Sequence, residues 1–157
     1  MSADERDGRR DAPVSAPEAD LIETSGVGSQ VRVYGPVAAE HLRHPRNLGR
    51  IADADGVGEV DDPSSDTLLT VYLRLGRQSR ARPVVEEARF RAFGCSGSII
   101  AGSIATELAT GITLDDIPTL DASAINAALD DGLPPEQRYC ADLAARALQL
   151  AAGAAAG

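Results

Sequence analysis

Val84-Val85-Glu86-Glu87-Ala88-Arg89-Phe90-Arg91-Ala92-Phe93 alternates apolar and polar residues, then runs into Gly94-Cys95-Ser96-Gly97-Ser98-Ile99-Ile100-Ala101, where the period changes. A period of two is that of a strand, with Glu86, Ala88, Phe90 and Ala92 on one face and Glu87, Arg89, Arg91 and Phe93 on the other. Past Gly94, the residues Ile99, Ile100, Ser103, Ile104, Leu108 and Ala109 recur at helical spacing, and Gly111 supplies the stop. A strand therefore feeds straight into a helix, with Cys95 at the junction. Upstream, residues 67–75 alternate in the same way, with Leu69, Val71, Leu73 and Leu75 on one side and Thr70, Tyr72 and Arg74 on the other. Residues 76–83 form a basic connection between these two strands, and residues 55–60 suit a brief third strand.

Outside this meander the pattern is helical. Residues 31–42 carry Val33, Val37, Ala38 and Leu42 on one stripe and end before Pro45. Residues 115–117 open a turn before a short helix over 124–129. Pro134 and Pro135 mark the entry to a last helix that runs to about residue 152, with Leu143, Ala144, Ala147, Leu148 and Ala151 inward. Strands first, helices later and no strand-helix-strand repeat predict an α+β fold, a three-stranded antiparallel sheet with helices packed against one face. Residues 1–20 hold six acidic residues, three Arg and two Pro without apolar periodicity. Residues 1–30 are therefore expected to be a disordered acidic arm, 31–152 the folded domain and 153–157 a flexible tail.

Composition narrows the function. The chain has 157 residues and a formal charge of −9, which argues against gripping nucleic acid or an anionic membrane. All 15 basic residues are Arg, so Schiff-base lysine and P-loop chemistry are excluded. Two Cys, no secretory apolar segment and no bilayer-length apolar run point to a reducing, cytoplasmic setting.

Cys95 and Cys140 each lie near the start of a predicted helix, where the positive dipole end favours thiolate, the form that binds metal or attacks sulfur. As small apolar residues they would equally suit a core. His41 and His44, the only imidazoles, precede the sheet and make a weak case for Cys-His catalysis. A tetrahedral metal site needs four ligands. Cys95 and Cys140 supply two, and the loop Asp61-Asp62-Pro63-Ser64-Ser65-Asp66-Thr67 offers oxygen, with Asp66 the preferred donor. The glycines of Gly94-Cys95-Ser96-Gly97-Ser98 permit a sharp turn and a cluster of backbone N–H groups around a thiolate or sulfide.

Five stretches together resemble the U-type iron-sulfur cluster assembly scaffolds, the NifU and IscU group. They are Val33-Tyr34 leading to His41-Leu42-Arg43-His44-Pro45-Arg46-Asn47-Leu48-Gly49; Ala54-Asp55-Gly56-Val57-Gly58; Phe90-Arg91-Ala92-Phe93-Gly94-Cys95 with its Ser-rich helix; Leu133-Pro134-Pro135; and Arg138-Tyr139-Cys140-Ala141-Asp142-Leu143-Ala144. The resemblance covers about residues 33–152 and implies the same α+β fold. It also implies assembly of a 2Fe-2S cluster, with sulfur from a cysteine desulfurase and delivery to apo iron-sulfur acceptor proteins, Zn2+ being held when iron is absent. By the same resemblance Cys140 is the persulfide acceptor, and Asp66 supports a labile ligand.

The chain departs from the family where its first Cys stands in Pro-x-Cys-Gly-Asp. Here Pro63 is followed by Ser64, Ser65, Asp66 and Thr67. Ungapped, Ser65 replaces the Cys and Thr67 the Asp; a one-residue gap puts Asp66 at the Asp. A serine hydroxyl is a hard donor that holds its proton, and it substitutes poorly for a thiolate. Tyr139 stands where the IscU branch has His, and Glu136-Gln137 replaces the apolar and cationic pair of its chaperone-recognition stretch.

The expectation is thus a scaffold or carrier of altered design, a non-enzymatic one, binding a 2Fe-2S cluster or a metal ion through two Cys per chain, with the missing ligands supplied either across a homodimer or by a partner. Two alternatives stand beside it. One is a non-assembling paralogue that regulates a desulfurase by docking through residues 45–49 and the region of Pro135. The other is a persulfide sulfur relay.

Overall fold

A computed structural model describes residues 34–77 and 81–157. The expected acidic arm, residues 1–30, lies outside them, as do residues 31–33 of the first predicted helix. Helix α1, Pro36–Arg43, starts on a proline whose fixed φ suits the first turn, and it ends at His44 before Pro45. Strands β1 (Gly56–Asp62), β2 (Thr67–Leu75) and β3 (Val85–Phe93) form one antiparallel meander in the order β1-β2-β3. Helix α2, Ser96–Ala109, follows β3 directly. A 3-10 turn over Leu114–Thr119, helix α3 over Ala122–Ala128 and a second 3-10 turn over Pro135–Gln137 lead to α4, Tyr139–Ala156.

The register sets the faces. Gly58 pairs with Val71 and Val71 with Phe90, while Val60 pairs with Leu69 and Leu69 with Ala92. These residues share the face covered by α4 over β1 and β2 and by α2 over β3. The opposite face keeps Val57, Arg91 and Phe93 exposed, with the Arg91 guanidinium 5.5 Å from the centre of the Phe93 ring. The α+β arrangement expected from the sequence is the one observed.

Two expectations are corrected. Strict alternation places Glu86 with Ala88 on the core face, but the register shifts between Arg74 and Leu75, so Leu75 pairs with Val85 and Arg74 with Glu87. This extra residue in β3 is a bulge; Val85 turns inward, fully buried, and Glu86 outward. The last helix does not stop at residue 152. It continues to Ala156, so residues 153–156 are helical rather than a loose tail, because alanine favours helix and Ala155 packs on β1.

β1 presents backbone instead of side chains to α4. A Cβ on Gly56 would lie 2.1 Å from the carbonyl oxygen of Ala151, and one on Gly58 would lie 2.1 Å from that of Ala147. Such an approach is open only to glycine. Gly58→Ala must push the helix off the strand and is expected to destabilise the fold by about 3 kcal/mol. Val57→Ala, on the uncovered face, is expected to change stability by less than about 0.5 kcal/mol, and urea unfolding of both variants checks the contrast.

The loop after α1 is held from beneath. Asn47 and Gly49 adopt positive φ values of 66° and 125°. The Arg46 amide donates to Ser103 Oγ (2.9 Å), Asn47 Nδ2 donates to Thr106 Oγ1 (3.1 Å), and the Phe90 amide donates to the Asn47 carbonyl (2.9 Å). His41 is buried on the same ridge, with Nδ1 2.7 Å from Ser103 Oγ. Burial, and then the nearby Arg46 cation, hold its imidazole below the ordinary histidine range. These contacts give His41 and the Pro45-Arg46-Asn47 turn a structural task, locking α1 to α2 and to β3.

Candidate functional site

Gly94 makes the strand-to-helix turn at a φ of +133°, which an L side chain rarely adopts. Cys95 then caps α2 in an extended conformation, its carbonyl accepting from the Ser98 amide (3.1 Å) and hydroxyl (2.6 Å). From the other end of the sequence, Leu133 and Pro134 are buried and the 3-10 turn delivers Tyr139 and Cys140 into the first turn of α4. The two sulfurs meet at 3.5 Å as free thiols. Cys95 is half-buried and Cys140 fully buried beneath it.

Hydroxyl groups surround the pair. The Tyr139 hydroxyl lies 3.5 Å from Cys95 Sγ, and the Thr67 and Ser65 side chains are close enough to it to oppose the rise in its pKa. Ser65 Oγ donates to Asp62 Oδ2 (2.7 Å) and lies 3.0 Å from Thr67 Oγ1, while Ser64 donates to Asp62 Oδ1 (2.8 Å). Those serine hydroxyls hold the Asp62 carboxyl below its usual range. On the other flank the Tyr34 hydroxyl bonds Ser96 and donates to Gln137 Oε1 (2.7 Å).

The two thiols do not behave alike, although both stand at helix starts. Cys95 is pulled down to about 5 by the hydrogen bond from Cys140, then by the Tyr139 hydroxyl and the Ser98 and Gly97 amides, against the cost of burial. Cys140 is pushed up by its hydrogen bond to Cys95, by burial and by the negative charge on Cys95. Tyr139 is pushed up to about 12, first by its hydrogen bond to Cys95 and then by burial. The two shifts run in opposite directions, favouring thiolate on Cys95 and thiol on Cys140. The expectation that both thiols lean to thiolate holds only for Cys95, because a second charge 3.5 Å from the first would be buried and repelled.

Of the three residues selected from sequence, the structure joins Cys95 and Cys140 and leaves Asp66 apart. Asp66 is exposed, its φ is +56°, and among the described residues no three of His, Cys, Asp and Glu come together as metal ligands. A left-handed φ is glycine's backbone, tolerated by Asp. Asp66 therefore occupies the glycine position of the ungapped Pro-x-Cys-Gly-Asp comparison, which sets Ser65 at the Cys and Thr67 at the Asp. Thr67 is 1% exposed, with its hydroxyl 3.0 Å from Ser65 Oγ. Ser65, Thr67 and Tyr139 are the neighbours of the thiols that the preference for a carboxylate passed over. The ungapped alignment was the signal that could have found the first two.

The donor set can be tested against a metal. Two thiolates about 2.3 Å from one tetrahedral ion stand about 3.8 Å apart, so the 3.5 Å pair needs only a small opening to chelate one ion. It fits half of the need, since a Cys-ligated 2Fe-2S cluster takes four thiolates and one chain offers two.

The family model for the NifU-like N terminal domain matches residues 33–155. The chain belongs to the NifU-like N-terminal domain family. Among similar NifU-like relatives, the iron-sulfur cluster assembly scaffold protein IscU 1 of Archaeoglobus fulgidus is 38% identical over 119 residues, covering 76% of this chain and 74% of that protein. IscU of Azotobacter vinelandii is 30% identical over 121 residues, covering 75% of this chain and 90% of that one. A crystal structure of a putative iron-sulfur cluster assembly scaffold protein for the SUF system from Fervidobacterium islandicum AW-1 superposes with a TM-score of 0.62 at 17% identity. It covers 77% of this chain and 97% of its own, which supports the NifU-like fold.

Proposed function

We propose that this NifU-like chain is an iron-sulfur cluster assembly scaffold or carrier that works as a pair of chains, each giving Cys95 and Cys140 to one 2Fe-2S cluster. The observation that carries the reading is the 3.5 Å separation of the two sulfurs. That spacing suits two thiolates on one tetrahedral iron, and a 2Fe-2S cluster has two irons. The relatives named as cluster assembly scaffolds support the scaffold role. Ser65 and Thr67 are hard oxygen donors that keep their protons, so a second copy of the chain is the simplest source of the missing thiolates. Sulfur would come from a cysteine desulfurase, apo iron-sulfur proteins would receive the cluster, and a reducing, cytoplasmic setting would keep the thiols free for it. The same pair would hold Zn2+ when iron is absent.

Anaerobic reconstitution with ferrous iron and sulfide, followed by mass measurement under native conditions, tests the reading. The expected product is one cluster per two chains. A cluster retained on isolated single chains overturns the bridging, and failure to take up iron and sulfide together overturns the scaffold role.

A further inference from the structure

We propose that the uncovered face of the sheet is a docking surface for a second copy of this chain, joined about a two-fold axis that runs along the strands, so that β1 of each copy lies over β3 of the other. The inference goes beyond the scaffold reading and uses neither metal nor thiols.

The register fixes what this face presents. Glu59, Thr70 and Arg91 pair across the three strands as one row, and Asp61, Leu68 and Phe93 as the next. The β1 side is therefore acidic and the β3 side basic, with smaller and apolar side chains between. Arg74 and Arg89 are both neutralised within the chain by Glu87. Arg91 is not: among the described residues it forms no ion pair, and its guanidinium lies over its own Phe93 ring. Glu59 accepts from the Thr70 hydroxyl (3.3 Å) and, like Asp61, has no ion pair among the described residues. These three charges are exposed, and Phe93 is 55% exposed beside them. At about 4.8 Å between strands, Glu59 and Arg91 stand roughly 10 Å apart on opposite sides of β2.

A second copy supplies what the chain itself does not. An axis along the strands exchanges the two sides of the face and keeps the rows, so Glu59 of each copy meets Arg91 of the other, twice per pair, while Leu68 meets Leu68 at the axis. The strands of the two sheets then lie within about 30° of parallel, the ordinary geometry of stacked sheets. An axis across the strands would set β1 on β1, acid against acid. The carboxylates of Glu59, Asp61 and Glu87 balance the guanidiniums of Arg74, Arg89 and Arg91, so the face is neutral on a chain of formal charge −9, and repulsion between copies is least there. Three strands of this length cover roughly 350 Å² per copy, under half of the about 800 Å² per partner in a standard interface, so the pair is weak, with a dissociation constant on the order of 100 µM. The thiols lie with the starts of α2 and α4 on the covered face, so this contact does not bring the sulfurs of two copies together and is distinct from cluster bridging.

The test is sedimentation of the full-length protein, reduced and free of iron, sulfide and zinc. Between about 10 µM and about 1 mM, its average mass is expected to rise from one chain toward two. Glu59→Arg and Arg91→Glu each oppose like charges twice per pair, and each is expected to weaken association at least about tenfold. The double variant Glu59→Arg/Arg91→Glu reverses both partners and is expected to recover association to within about threefold of wild type. An equimolar mixture of the two single variants is expected to associate more tightly than either alone. A wild-type protein that stays single throughout overturns the proposal, whatever else covers the face. Single reversals without effect, or a folded double variant that recovers nothing, overturn it too. The wild-type measurement stands whether or not the variants fold. Because metal and sulfide are absent, failure here leaves cluster bridging untouched, and failure of bridging leaves this result untouched.

Discussion

Ser65→Cys is expected to turn a two-thiolate site into a three-thiolate one that holds Zn2+ on a single chain, with affinity raised about a hundredfold or more. The size follows from structural zinc sites, whose four ligands contribute about 10–16 kcal/mol together, hence about 3 kcal/mol for one added thiolate. The position is suitable because the Ser65 side chain acts on the Tyr139 hydroxyl that lies 3.5 Å from Cys95 Sγ, and Asp66 beside Ser65 already holds the left-handed backbone of the family's Pro-x-Cys-Gly-Asp turn. The same substitution is expected to shift reconstituted cluster from paired chains toward single ones. Competition of Zn2+ against a chromophoric chelator reads the affinity. A folded variant with wild-type zinc affinity would show that Ser65 does not reach the metal position.

Cys140→Ala is expected to move the alkylation profile of Cys95 from a midpoint of about 5 up toward the ordinary thiol range, since the Cys140 hydrogen bond is the largest cause of the depression. Near pH ~6 the alkylation rate is expected to fall about tenfold, the loss of thiolate being partly offset by the greater nucleophilicity of a more basic sulfur. In the wild-type protein the same depression links folding to pH. The Cys95 contribution is complete above the unfolded thiol value of about 8.5, shrinks as pH falls, and is lost below about 5. Cys140, pushed the other way, contributes below the unfolded value and loses that contribution as pH rises past its own. Rates of iodoacetamide modification of Cys95 against pH measure its shift. A Cys95 midpoint unchanged in Cys140→Ala would mean that the helix amides and Tyr139 alone hold the thiolate.

Most of the fold was legible because its strands keep one face against helices, and period-two alternation records that directly. The β3 bulge was not, because a single inserted residue leaves the same letters in the same order and shows only in the pairing of Leu75 with Val85. The end of α4 was misjudged because Gly153 and a run of alanines resemble a fraying tail until Ala155 is seen against Gly56.

For the site, the sequence by itself determined the two sulfurs, the glycine turn before Cys95 and the absence of a third thiol, since these are matters of residue type and local backbone. The tertiary structure alone decided that sulfurs 45 positions apart stand 3.5 Å from each other, which requires α2 and α4 to start side by side on the same sheet face. It also decided that the Tyr139 hydroxyl, rather than the Asp66 carboxylate, stands against the pair. A side chain's direction at a turn depends on φ, and the left-handed backbone of Asp66 leaves its exposed carboxylate outside any ligand cluster while its neighbours face in.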